Sequence, residues 1–420
     1  MNRNVVVTGL GFVTCLGHTK ETVAKNLREL NHGFVRYEPF LTDPKIPVSV
    51  AAPINGFVTD STDPEDWTYP DEIKFRLEQL RGLSPNGLYS HFAMKRAIED
   101  AQLNEADISN AETGLFTASS GSAAMTHHNL DRMKKVGPLR CSPLGIVASI
   151  AGTLSFNLVA HYKIKGASTG FVSACASSGH ALGYAFDEIA MGRQDRMIVV
   201  GAEDFTLETL VPFSGMRVLS VNENPDSASR PFDKHRDGFV GTGGAVTLIL
   251  EEEEVAKRRG APIYARYRSW GQATDGHHVA ISHPEGDGLK RAMKNAIKSG
   301  DVAPKDIDYI NAHATSTSTG DASECHAIKS VFGTNDGPAI SSTKALTGHA
   351  LSLSSAMEAA FTVLSIKEGF KPGSAHISEL DPVAEGLNIL HQTEDIGPTL
   401  ALSNSSGFGG ANVSLLFEKH

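Results

Sequence analysis

Cysteine is scarce in this 420-residue chain: Cys15, Cys141, Cys175 and Cys325 are scattered, with no CxxC pair among them. That pattern indicates neither a disulfide framework nor a thiolate zinc site, and it points to a reduced, cytoplasmic setting. Long apolar runs are missing as well. No stretch of about 18 apolar residues occurs, and the N-terminus MNRNVVVTGLGFVTCLG enters strand-like sequence without a signal peptide's apolar core, so no membrane is expected as a partner. Positive charge is outnumbered, 38 Lys and Arg against 48 Asp and Glu. The formal net charge of -10 argues against nucleic acid as a partner of the surface as a whole. Aromatics are few and glycines many, which suits a tightly turned α/β protein long enough for a large core.

A complete dinucleotide-binding fingerprint is also lacking. Val5, Val6 and Val7 form an apolar run closed by GLG, but position 14, where the third glycine belongs, is Thr14. The two glycines are expected to shape a turn instead. Downstream, in FVSACASSGHALGYAFDEIAMG, Leu182, Ala185, Phe186 and Ile189 fall at helical spacing, with Gly192 at the C-terminal cap. Cys175 therefore precedes or opens a helix. A helix N-terminus supplies up to ~2 kcal/mol of charge stabilisation against ~1.4 kcal/mol per pKa unit, so the thiol is expected near neutrality with no tightly paired histidine required. A lone cysteine is more often an inert buried hydrophobe, so its companions must decide.

RMIVVGAED supplies a strand after that helix, and the order strand, turn, helix, strand implies a parallel sheet. EEEEVAKRRG reads as a solvated helix whose acids lead and bases follow. The second half replays the first: PIYARYRSWG opens it as a strand, and Met357, Ala360, Phe361 and Leu364 repeat the helical spacing seen after Cys175. Two similar halves place a site where they meet.

The second half carries the remaining chemistry. His313 follows a strand and is trailed by Thr315, Ser316, Thr317, Ser318 and Thr319, neutral donors suited to a polar ligand arm. His349 sits in a TGH turn, with Lys344 five residues earlier. A lone histidine is more often structural, but two in loops of one half beside a helix-start cysteine in the other favour thiol chemistry assisted by imidazoles. In GFGG, Gly407 and Gly409 flank Phe408 and let backbone amides approach a ligand; a tight turn between strands is equally compatible. His277, His278 and His283 lack acidic or thiolate companions and read as a loop near the entrance.

Together VSACASSGHA, NAHATSTSTGD, SSTKALTGHA and NSSGFGGAN, in this order and with RPFDKHRDGFV between the first two, resemble the signatures of elongating β-ketoacyl-acyl-carrier-protein synthases. The resemblance implies a thiolase-like, layered α/β fold (α-β-α-β-α) of two pseudo-symmetric halves, residues 1–255 and 256–420, with mixed five-stranded sheets. It implies that Cys175 is the nucleophile, His313 and His349 the histidine pair, Lys344 a supporting lysine with Glu324 as its buried acidic companion, and Phe408 a gate. Thr315 and Thr317 match contacts to a phosphopantetheine arm that arrives on the carrier, so neither a separate cofactor nor a metal is expected. The implied partners are acyl-ACP, malonyl-ACP and a second copy of the chain. Arg81, Lys134, Lys135 and Arg217 match the basic rim that meets an acidic carrier. The implied reaction is acyl transfer to Cys175 followed by decarboxylative Claisen condensation with malonyl-ACP.

The chain departs from that family's pattern at Ser318, usually proline, and at Leu351, Ser352, Leu353, Ser354 and Ser355, usually a glycine and alanine run. These positions bear on the acyl chain accepted, leaving open fatty acid elongation or a specialised polyketide, polyene or lipid pathway. Three rivals explain less. A thiolase would need a second cysteine in place of a histidine, a non-catalytic chain-length partner would lack Cys175, and a cysteine hydrolase would leave Lys344 and one histidine unused.

Overall fold

A computed structural model describes residues 3–420. In the first half, β1 (Val5–Val13), β2 (Thr113–Ala118), β3 (Ser168–Phe171), β4 (Arg196–Glu203) and β5 (Gly244–Glu252) lie side by side in the order β1-β5-β4-β2-β3. The second half contributes β6 (Ala265–Thr274), β7 (Tyr309–Asn311), β8 (Ala339–Ser341), β9 (Asn388–Ile389), β10 (Leu400–Gly407) and β11 (Ala411–Glu418), in the order β6-β11-β10-β7-β8-β9. Strand for strand, the first five positions correspond. In each half the first two pairings are antiparallel and the next two parallel. The likeness read from the sequence is thus one of topology. Two features add to the expected pair of five-stranded sheets. The two-residue β9 extends the second half beyond β8, and Val5–Val7 pair with Ala265–Tyr267, so these eleven strands form one continuous mixed sheet, while Val35–Arg36, Val50–Ala52 and Gly241–Thr242 make a separate small one.

Seven helices build the layers: α1 (Pro85–Asp100), α2 (Ala123–Val136), α3 (Leu154–Tyr162), α4 (Ser177–Ala190), α5 (Asp287–Ser299), α6 (Ser318–Phe332) and α7 (Ser354–Glu368). α4 and α7 touch each other and strands of both halves, forming the middle layer, while α1 and α3 cover one outer face and α5, with α6 beside it, the other. Every residue of α7 from Ser354 to Ile366 is buried, which explains why small and apolar residues occupy most of its faces, with Glu358 the one charged group among them. No helix among the described residues is long and apolar enough to cross a membrane.

Three expectations are corrected. The GLG glycines make no turn: β1 runs on through them to Val13, and a Cβ at Gly11 would lie 1.9 Å from the Ala93 carbonyl oxygen, so they let α1 lie close on the strand. The acidic tract is not a solvated helix throughout. Its first two glutamates end β5, and fully buried Glu251 pairs with Arg196 and Arg259; only Glu253–Arg258 is helical. The stretch 55–80, whose sequence reads as a polar, proline-containing excursion ending in a charged helical segment, is α-helical only at Leu77–Leu80, and Phe57, Trp67 and Leu80 are held in an apolar cluster with Phe92.

Candidate active site

The nucleophile candidate sits on a strained elbow. β3 ends at Phe171 and α4 starts at Ser177, so the chain reverses within a few residues, and Ala174 takes the left-handed conformation at φ +50°. Ser177 locks the turn. Its Oγ accepts from the Ser173 amide at 2.8 Å and donates to the Ala174 carbonyl at 2.6 Å. Gly407, at the end of β10, packs against this elbow. A Cβ there would lie 2.9 Å from the Ser173 carbonyl oxygen and 3.0 and 3.1 Å from the Cys175 and Ala176 amide nitrogens. The halves therefore meet on Cys175, with the Phe408 loop beside it.

The second half places both histidines there. His349 Nε2 lies 3.0 Å from Cys175 Sγ. Its amide donates to the Val240 carbonyl at 2.8 Å, the Phe239 ring meets the imidazole edge-on at 5.1 Å, and Nδ1 lies 2.9 Å from Ser354 Oγ. The His313 ring stands 5.3 Å from that of His349, centroid to centroid, at an interplanar angle of 83°. Behind it, Lys344 Nζ is 3.4 Å from His313 Nδ1 and ion-paired with Glu358. An ammonium only donates, so His313 carries its proton on Nε2. Burial and the Lys344 charge hold both imidazoles well below the usual histidine range, and both rings are neutral.

Electrostatics correct one expectation. Burial pushes the Cys175 thiol up to about 12, with the Lys344 ammonium pulling the other way. Desolvation outweighs the helix end, and the tightly paired histidine that the sequence reading did not require is present. Lys344 also has a different carboxylate partner from the one expected. Glu324 accepts from the amides of His313 at 3.0 Å and Ala314 at 2.7 Å and from Asn404 at 3.2 Å, so it fixes the histidine loop, and Glu358 of α7 pairs with the lysine. Burial pushes the Glu358 carboxyl up to about 7 against the pull of Lys344. Sequence reasoning missed Glu358, although a lone carboxylate inside the apolar face of α7 was a signal. It tied Ser354 only to the acyl chain accepted and not to His349.

Two cavities flank the thiol. One of about 500 Å³ is lined by His313, Thr315, Thr317, Glu324, Arg217 and Gly407, with the Thr315 and Thr317 hydroxyls 3.0 Å apart. The other, about 660 Å³, is lined largely by the region around α2, including Ala123, Leu130, Ile150 and Val172. Cys175, Phe213, Leu351 and Phe408 border both, which puts Phe408 in the wall between them. Gly409, at φ +76°, turns the loop just beyond, and its amide donates to the Val279 carbonyl at 2.8 Å. Of the expected basic rim, Arg217 lies at the first cavity; Arg81 is paired with Glu65, Lys134 lies 3.6 Å from Asp131, and Lys135 is exposed. Among the described residues, the group with metal-ligand spacing is Cys175, His313 and His349, whose donor atoms lie within 4.8 Å of one another. The Lys344 ammonium opposes a dication there.

Fold and site define a class: a thiolase-fold acyltransferase. Residues 2–256 match the family described as Beta-ketoacyl synthase, N-terminal domain, and residues 264–378 match Beta-ketoacyl synthase, C-terminal domain. The chain belongs to the β-ketoacyl synthase family. It is 38% identical to 3-oxoacyl-[acyl-carrier-protein] synthase 1 of Haemophilus influenzae, over 100% of this chain and 99% of that one. A crystal structure of a β-ketoacyl synthase from Burkholderia phymatum superposes with a TM-score of 0.91 at 30% identity, covering both chains fully. The ketosynthase complex AntDE:AntF, a type II polyketide synthase acyl-carrier protein with its ketosynthase bound to the hexaketide, gives 0.89 at 26%, again with both chains covered fully.

Proposed function

We propose that this protein is a 3-oxoacyl-[acyl-carrier-protein] synthase that lengthens a carrier-bound acyl chain by two carbons. The observation that carries this reading is the buried series Cys175, His349, His313, Lys344 and Glu358, which supplies one nucleophile and two neutral imidazoles backed by a cation. Cys175 attacks the acyl thioester; its bond to the acyl carbon forms, and the pantetheine thiol leaves with the proton. Malonyl-ACP then loses carbon dioxide, and Nε2–H groups of the histidines stabilise the enolate oxygen. The carbon nucleophile attacks the Cys175 thioester, the Cys175 and Phe408 amides hold the resulting oxyanion, and the released thiolate takes up one proton.

The first cavity takes the pantetheine arm past Thr315 and Thr317, and the second takes the acyl chain. Arg217, with Arg81, Lys134 and Lys135, meets the acidic carrier. Residues 1–255 and 256–420 act as the two halves of one catalytic body, in the cytoplasm. A second copy covers the edge strand β3 and apolar side chains left exposed on this half, among them Leu139, Ile146, Ile150, Phe156 and Val172. A second reading, the same chemistry on a polyketide or polyene chain, is favoured by the likeness to AntDE:AntF and by the residues from Leu351 to Ser355.

Intact-protein mass spectrometry after brief exposure to acyl carriers and matching coenzyme A esters tests this, with Cys175→Ala in parallel. A Cys175-dependent adduct that forms preferentially from carriers is expected, and the preferred chain separates the two readings. Preference for coenzyme A esters would move the assignment to a thiolase role, and no adduct from any donor to a non-catalytic partner.

A further inference from the structure

Ser354 stands in the first turn of α7. Its hydroxyl oxygen lies 3.2 Å from the Ala350 amide and 2.9 Å from His349 Nδ1. The amide can only donate, so the oxygen accepts there and its single hydrogen is left for another partner. Ser354 is buried, and Nδ1 is the acceptor at hand. The opposite assignment, with Nδ1–H donating to the serine, leaves a hydroxyl hydrogen inside the protein with nothing to bond, which folded interiors avoid. The His349 backbone is fixed as well, because its amide is tied to Val240, the Thr242 amide reaches its carbonyl at 3.3 Å, and the Phe239 ring packs edge-on against the imidazole at 5.1 Å.

We propose that Ser354 is a positioning residue that holds His349 as its Nε2–H tautomer, so that this ring presents a donor to the reacting thioester. His313 reaches the same state by a different route, through the Lys344 ammonium at its Nδ1. Two rings on one site are thereby set to donate, one by a cation and one by a neutral hydroxyl. A second cation at Nδ1 of His349 would add like charge next to Lys344; a serine fixes the tautomer without it. The proton of Cys175 then travels to the departing pantetheine thiol and does not rest on His349. The neighbouring Ser355 holds the other partner, its Oγ donating to the Cys175 carbonyl at 3.1 Å. The inference rests on the condensing reading for its consequence, though the tautomer itself is set by this chain's own contacts.

The test compares histidine-labelled wild-type protein, Ser354→Ala and Ser354→Thr by nitrogen-15 NMR, with His349→Gln used only to assign the ring. The wild type is expected to show an unprotonated Nδ1, Ser354→Ala a shift toward the other tautomer, and Ser354→Thr the wild-type signal. In parallel, kcat for malonyl-ACP decarboxylation should fall roughly tenfold in Ser354→Ala with KM within about twofold, acyl transfer to Cys175 should hold within about twofold, and threonine should restore the rate. A protonated Nδ1 in the wild type overturns the proposal. So does a slower Ser354→Ala whose tautomer is unchanged, since that is a purely structural effect. The NMR readout needs no substrate, so a wild-type protein that shows the expected tautomer yet neither acylates nor decarboxylates would sink the condensing reading while leaving the tautomer assignment standing.

Discussion

The two halves share a strand order but leave their third strands differently. After β3 the chain enters α4 almost at once, and the price of that abrupt turn is the left-handed Ala174 beside Cys175. After β8 it takes residues 342–353 to reach α7, passing through the short helix Lys344–Thr347 and the turn Leu351–Leu353. A tight elbow presents a thiol and backbone amides. A long connection has room to carry Lys344 and His349 inward, where each finds a fixed partner. One skeleton thus presents a thiol on one side and imidazoles backed by a cation on the other, because connection length decides what a strand end can deliver.

Removing the imidazoles while keeping the thiol separates the halves most sharply. His313→Ala and His349→Ala should each lower malonyl-ACP decarboxylation by about 10² to 10⁴-fold, the range for positioned proton or charge stabilisation. Acyl transfer to Cys175 should persist in part, read by intact mass. Loss of acylation with decarboxylation intact in both variants would reverse the division of labour. In the wild type, imidazoles held below their usual range stay neutral as pH falls through ~6.5, so decarboxylation should show no loss there, and Lys344→Met should move its acid limb upward.

The second contrast concerns the buried pair. Lys344→Met leaves Glu358 inside α7 without its cation, and breaking such a pair costs about 3–5 kcal/mol. The sign with pH follows from the carboxyl, which is raised from 4.5 to about 7 in the folded protein. Its neutral form is the one the fold favours, so its contribution is full below the unfolded value and lost as pH rises through the folded one. Lys344→Met pushes that folded value higher, and the destabilisation should be larger at pH 8.5 than at pH 6 in chemical denaturation. Adding Glu358→Leu should abolish the difference between the two pH values. A destabilisation independent of pH would mean that the lysine acts by packing alone.

How much of this was legible beforehand follows the same division. Cys175, His313, His349, Lys344 and Phe408 were readable because each lies in a short contiguous motif, and the repeated helical spacing after Cys175 and His349 marked the two central helices. Glu358 was not, since its meeting with Lys344 depends on how α7 packs and not on any local pattern. The thiol's raised pKa was hidden for a related reason: a helix start can be read from spacing, whereas full burial requires both halves to close over it. GLG misled because the helix that lies on those glycines, α1, is some eighty residues away.

The smallest expected effect falls on the seam itself. Gly407 is extended at φ -120°, so its backbone would accept any residue; what it lacks is room. An added Cβ would press on the Ser173 carbonyl and the Cys175 and Ala176 amides at 2.9–3.1 Å. Those contacts are backbone on a turn already held by Ser177, so relief must come from β10 moving back or the elbow shifting by a few tenths of an ångström. Gly407→Ala should therefore cost about 1–3 kcal/mol of stability, the usual range for overpacking. Its larger signature is functional: acylation of Cys175 should slow while the histidines, which an added Cβ at Gly407 would not reach within 3.1 Å, keep their decarboxylase capacity. Equal loss of both activities would show that the elbow and the histidine loop move as one unit, and that the seam transmits strain between the halves instead of confining it to the first.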